Sequence, residues 1–152
     1  MDRREALVEE LRTNGRLSAK ELAERLDVSK RTIVRDIARL QAEGVPIRLD
    51  PGGYLLDPSD EVKRAIDRSL AGRRVLRIEY HDTKGGVTTR EVEPSICLGG
   101  RGGYWYLVAW CRLREDVRVF RLDRITRATV TAERYPEPSQ ARMAELAAAL
   151  PT

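Results

Sequence analysis

The chain has 152 residues, 41% hydrophobic and 34% charged, enough for one modest core or two small ones and too few for a large enzyme barrel. No apolar run approaches the roughly 20 residues of a membrane span, and the N-terminus, charged from Asp2 onward, does not form the apolar segment of a secretory signal, so a soluble, cytoplasmic protein is expected. Two cysteines, Cys97 and Cys111, and a single histidine, His81, argue against a disulfide scaffold, a four-ligand zinc site or histidine catalysis, and no cofactor is expected.

The formal charge is +4, from 28 basic and 24 acidic residues. It is unevenly placed: residues 1–57 carry 11 of each sign, and residues 58–152 carry 17 against 13. Only Lys20, Lys30, Lys63 and Lys84 are lysine. The other basic residues are arginine, the side chain suited to planar, bidentate recognition of phosphate.

Residues 2–13 place Leu7, Val8 and Leu11 on one helical face, and Asn14-Gly15 ends the pattern. Ser18 with Glu21 forms a capping box before a short helix carrying Leu22, Ala23 and Leu26 that stops near Asp27. Ser29 caps a third helix, with Ile33, Ile37 and Leu40 inward, that ends near Gly44. Two helices joined by so tight a turn make a helix-turn-helix. At about 100° per residue, Arg31, Arg35, Ala38 and Arg39 of the third helix point outward, flanked by Thr32, while Ser29 and Lys30 sit at its N-terminus, where free N–H groups favour phosphate. A major groove admits such a helix, and arginine pairs bidentately with guanine O6 and N7. Val45–Leu49 and Tyr54–Leu56 then flank the turn signal Asp50-Pro51-Gly52-Gly53, a wing from which Arg48 is placed to reach a backbone phosphate.

The stretch LSAKELAERLDVSKRTIVRDIARLQAEGVPI resembles the winged helix-turn-helix of a large group of bacterial transcriptional regulators. The resemblance covers residues 3–56 and implies that Ser29, Arg31, Thr32 and Arg35 face DNA. Asp36 lies nearer the core on the helical wheel and is expected to buttress a neighbouring arginine.

A linker helix is expected over residues 60–71, with Val62, Ile66 and Leu70 four apart, capped from Asp57-Pro58-Ser59-Asp60 and closed by Gly72. The period then changes to two. Strands are read at 75–80, at 87–92 after the turn Lys84-Gly85-Gly86, at 96–98 after Pro94, at 104–110, at 117–122 and at 125–131. Hairpin-linked strands of this spacing suggest a small barrel or a strongly bent sheet. Gly99-Gly100-Arg101-Gly102-Gly103 lacks the lysine and Ser/Thr of a phosphate-binding P-loop and reads as a hairpin turn. Residues 138–150 place Met143, Leu146, Ala147 and Leu150 on one face of a terminal helix that either covers the barrel or packs against its copy in a dimer.

Residues 104–125, YWYLVAWCRLREDVRVFRLDRI, resemble the signature of the WYL domain, with Trp105-Tyr106-Leu107 as its tripeptide. The resemblance spans residues 62–134. It implies an Sm-like or SH3-like barrel that binds a nucleotide-like or single-stranded nucleic-acid ligand and controls the DNA-binding domain, in a short form without the family's C-terminal extension. Independently of the family, seven arginines against three acids lie between residues 101 and 127. Basic side chains beside Tyr80, Tyr104, Trp105, Tyr106 and Trp110 are what phosphates and stacked bases require. Trp105, Leu107 and Phe120 are expected in the core. Tyr80, Tyr106, Arg112, Arg118, Arg121 and Arg124 are the candidate ligand residues, although alternation along 117–122 points Arg118 and Arg121 opposite ways.

The expected architecture is therefore α+β: a winged helix-turn-helix (residues 1–57), a linker helix (58–72), a WYL β domain (73–135) and a terminal helix (136–152). The expected function is a homodimeric, non-enzymatic regulator that binds double-stranded DNA. The rival reading is an accessory single-strand-binding module whose helix-turn-helix serves in protein contacts.

Overall fold

The structure is a computed structural model and describes residues 2–82 and 86–150; most of the turn expected at Lys84-Gly85-Gly86 lies outside them. The N-terminal unit comprises α1 (Arg3–Asn14), α2 (Ala19–Leu26), α3 (Lys30–Ala42) and the hairpin of β1 (Ile47–Asp50) with β2 (Gly53–Leu56). Each helix starts where a short polar side chain can satisfy a free N–H group: Asp2, Ser18 and Ser29 accept from the backbone N–H three residues on, and Glu21 completes the capping box. Leu7, Leu11, Leu22, Ile33, Ile37, Leu40, Ile47 and Leu56 close one core. A bridge between Leu17 and Tyr54 ties the wing to the start of α2.

Asp36 is 4% exposed and does hold an arginine, though a distant one: Arg3 of α1 donates to its two oxygens at 2.5 and 3.1 Å. The Arg3 hydrogen bond, outweighing the burial that opposes it, keeps the Asp36 carboxyl below its ordinary value of 3.8. A depressed carboxyl stabilises the fold above its unfolded pKa and loses that contribution as pH falls through the folded one. Asp36→Asn is therefore expected to lower Tm at neutral pH and to flatten the decline of Tm on acidification below about pH 5. Thermal unfolding across that range is the check, and an acid limb of unchanged steepness would contradict it.

After Ser59 caps α4 (Asp60–Gly72), five strands follow: β3 (Arg74–His81), β4 (Val87–Gly99), β5 (Trp105–Cys111), β6 (Asp116–Arg121) and β7 (Ile125–Arg134). They form one antiparallel sheet in the order β6-β5-β4-β3-β7. The segments expected as separate strands on either side of Pro94 are one strand, β4. Its register shifts between Pro94 and Ile96, where a bulge leaves Ser95 without a partner on β5, next to the proline that cannot donate to the ladder.

The sheet is curled. In a flat sheet β6 and β3 would lie about 14 Å apart, three strand spacings, yet the Phe120 and Tyr80 rings meet edge to face with centroids 5.1 Å apart. The Arg121 backbone N–H donates to Tyr80 Oη at 3.2 Å. Among the described residues no ladder joins β6 to β7; the short 3-10 turn Leu122–Arg124 links them. Inside the curl a second core gathers Leu76, Ile78, Val92, Leu107, Ala109, Phe120 and Leu122 under Val62, Ala65 and Ile66 of α4.

The terminal helix α5 (Gln140–Ala149) lies on the β domain, with only Leu146 of its expected apolar face buried. Arg142 stacks over Trp110 at 3.6 Å. Among the described residues no helix is long and apolar enough to cross a membrane.

Candidate nucleic-acid interface and sensor site

The α2–α3 turn is three residues long, with Asp27 in the left-handed conformation. Ser29 caps α3 through Thr32 N–H at 3.1 Å, and its Oγ lies 3.0 Å from Thr32 Oγ1. The first turn of α3 carries Lys30, Arg31 and Thr32 and no acid. Lys30, Arg31, Arg35 and Arg39 are all exposed, and among the described residues none of their side chains forms an ion pair. Four unneutralised cations along one helix face, with Val34 exposed among them, form a surface matched to a phosphate-lined groove.

Arg48, expected to reach DNA from the wing, is turned to the β domain. Its Nε shares Asp57 at 3.2 Å, and its Nη2 donates to Gly103 O at 3.1 Å. The neighbouring Arg16, which the sequence did not single out, does the same. It pairs with Asp50 at 2.5 Å, donates to Gly102 O, and offers its backbone N–H to Tyr104 Oη at 2.7 Å. The β4–β5 turn, a hairpin turn as expected, therefore docks on the wing and on the α1–α2 junction. Gly15 at that junction has φ +80°, and a Cβ there would stand 2.6 Å from Tyr104 Oη.

The six candidate ligand residues do not form one cluster. Arg121 lies in the domain seam, its guanidinium 3.9 Å from the Tyr104 ring centre and paired to Asp123 at 2.9 and 2.5 Å. Tyr80 adjoins it through the Arg121 N–H, and Tyr106 faces Arg121 across the β5–β6 ladder. Arg124 donates to Thr13 O at the end of α1, at 3.4 Å. Arg112 is held by Glu93 and Glu133 at the far end of β5, and Arg118 pairs with Asp116 in solvent. The opposite directions of Arg118 and Arg121 follow the strand alternation.

Leu107 and Phe120 are core residues, but Trp105 is not: it is 48% exposed. It starts β5 on the core-facing side, opposite Gly99, which supplies no side chain to cover it. The indole instead walls a cavity of about 250 Å³ with Lys63, Ile66, Asp67, Cys97 and Leu122. Cys97 and Cys111 are free, and burial pushes the Cys97 thiol above its usual range.

The two units thus define a helix-turn-helix protein with a capped curled β domain. A family model described as an HTH domain matches residues 3–55, and one described as the WYL domain matches residues 61–130. The chain thus joins a segment similar to the HTH domain to one similar to the WYL domain. Protein PafC of Mycobacterium tuberculosis (strain CDC 1551 / Oshkosh) is 42% identical over 84 residues, 53% of this chain and 25% of PafC. An uncharacterized HTH-type transcriptional regulator of Bacillus subtilis, YobV, is 36% identical over 66 residues, 43% of this chain and 20% of YobV. The chain thus spans about a quarter or less of the length of these curated relatives. Among solved structures, proteasome accessory factor B/C (PafBC) of Arthrobacter aurescens superposes with a TM-score of 0.51 at 22% identity, over 94% of this chain and 34% of that one, which shows a shared fold.

Proposed function

We propose that this chain is a cytoplasmic, non-enzymatic transcriptional regulator in which α3 reads an operator in duplex DNA. In this reading the WYL domain senses an anionic nucleotide-like or single-stranded nucleic-acid ligand and modulates operator binding. The observation that carries it is the unneutralised basic face of α3 behind a tight helix-turn-helix turn. A homodimer would present two recognition helices to half-sites about one helical turn apart.

The test is fluorescence anisotropy on duplex fragments from around the gene, with and without a short single strand, at two salt concentrations. Sequence-selective binding that shifts with the single strand supports the whole reading; selective binding that ignores it keeps the regulator and removes that effector. Arg35→Ala is expected to weaken operator binding by about 1–3 kcal/mol if Arg35 pairs with a base. Lys30→Ala should weaken all sequences alike and reduce the salt slope by about one. Unchanged affinity in both variants would remove α3 from the interface.

The single-strand-binding module remains the second reading because Arg48 and Arg16 of the wing region are engaged with the β domain instead of open to a duplex. Binding to single strands alone would favour it.

A further inference from the structure

The cavity beside Trp105 has a composition that its surroundings do not require. Ile66 and Leu122, buried members of the β-domain core, contribute an apolar lining. Trp105 shares the strand face of the buried Leu107 and Ala109, so its indole is a core-facing ring that is nevertheless 48% exposed. Lys63 and Asp67 line the same opening from α4. They stand four residues apart, the spacing at which opposite charges on a helix meet, yet they form no ion pair with each other or with any other described residue. One stacking wall, one cation and one carboxylate thus share the mouth of the curled sheet, a position where β-barrels commonly take ligands.

We propose that this mouth binds the base of a nucleotide: the ring stacks on Trp105 over Ile66 and Leu122, Asp67 accepts from a base N–H, and Lys63 meets the phosphate. The inference rests on the nucleotide-sensing reading above and gives it a location apart from the arginines already held in ion pairs. An aliphatic ligand would use the apolar lining and neither charge. A volume of about 250 Å³ admits one ring system and excludes a helix or a folded partner. A free mononucleotide and the end of a single strand present the same base and phosphate, so the assay must separate them.

Trp105 and Trp110 are the chain's two tryptophans, and Trp110 lies under Arg142 of α5, outside the cavity lining. In Trp110→Phe full-length protein, Trp105 emission therefore reports on the cavity alone. The probes are adenosine monophosphate, a fluorescein-labelled oligodeoxythymidine followed in parallel by anisotropy, and ribose 5-phosphate as a base-free control. Quenching by a nucleotide probe, none by ribose 5-phosphate, and a roughly tenfold weaker response in Asp67→Ala support the proposal. Quenching by the mononucleotide identifies a free nucleotide as sufficient, and quenching by the oligonucleotide alone identifies the strand.

Oligonucleotide binding seen by anisotropy with Trp105 unquenched overturns the location and leaves the sensing reading standing. Absence of binding by every probe overturns both. Should Trp110→Phe fail to fold, alkylation of Cys97 in the unmodified protein at alkaline pH gives the same answer: slowing by a nucleotide probe supports the proposal, and an unchanged rate alongside binding overturns it.

Discussion

Arg121→Ala is expected to destabilise the protein by about 3–5 kcal/mol, the range for removing one partner of a buried ion pair. The cause is the residue left behind. Asp123 is 3% exposed at its side chain and accepts hydrogen bonds at both of its oxygens from Arg121, so truncation leaves a carboxylate out of water without a counter-charge. Urea unfolding of the β domain's transition measures it. The double variant Arg121→Ala, Asp123→Ala should recover much of the loss, because the pair is then removed as a whole. A single-variant loss below about 1 kcal/mol would show the pair to be of the weak, solvated kind. An effector defect in Arg121→Ala is interpretable only beside this measurement, since the same guanidinium stacks on Tyr104 in the domain seam.

Gly53→Ala should be as damaging in the other unit. Gly53 has φ +133°, and a Cβ there would stand 2.8 Å from the carbonyl carbon and oxygen of Leu17 and 3.0 Å from Ser18 N. These are backbone atoms that cannot rotate away. They belong to the bridge in which Leu17 and Tyr54 exchange hydrogen bonds at 3.0 and 2.8 Å. The strained φ costs about 1–3 kcal/mol, and losing the two bonds about 1 kcal/mol each. At about 2–4 °C per kcal/mol, Tm is expected to fall by on the order of 10 °C, with loss of hydrogen-exchange protection at Leu17 and Tyr54. Gly99→Ala is the control: a Cβ there meets nothing within 4 Å and its φ is ordinary. Equal loss in the two variants would refute the steric account.

The helical half was legible because its signals are local. The capping serines, the Gly15 stop and the inward Ile33, Ile37 and Leu40 each act within one or two turns, and α1, α2 and α3 lie where those signals place them. Pro94 misled as a strand break because a bulge within β4 is not written in a two-residue period. The exposure of Trp105 depends on Gly99 across the ladder and on where α4 ends its cover, both long-range facts. The seam was hidden for the same reason: Arg16 and Tyr104 are 88 positions apart. Two of the ion pairs that occupy candidate ligand arginines were nevertheless readable. Asp116 and Arg118 are two residues apart on β6, the spacing that puts neighbours on one face of an extended chain, and Asp123 follows Arg121 by two at the 3-10 turn.

The acid-free first turn of α3 has a cost in stability. A helix N-terminus carries a partial positive charge, and an acidic side chain there is worth about 0.3–1 kcal/mol; α1, α2 and α4 each have one, whereas α3 presents Lys30 and Arg31 instead. The first turn of α3 thus forgoes a stabilising charge that α1, α2 and α4 have, and on the reading proposed above a DNA phosphate would supply it. Lys30→Glu is therefore expected to raise Tm and, on the proposed reading, to weaken duplex binding, a trade that selection for thermal stability alone would accept.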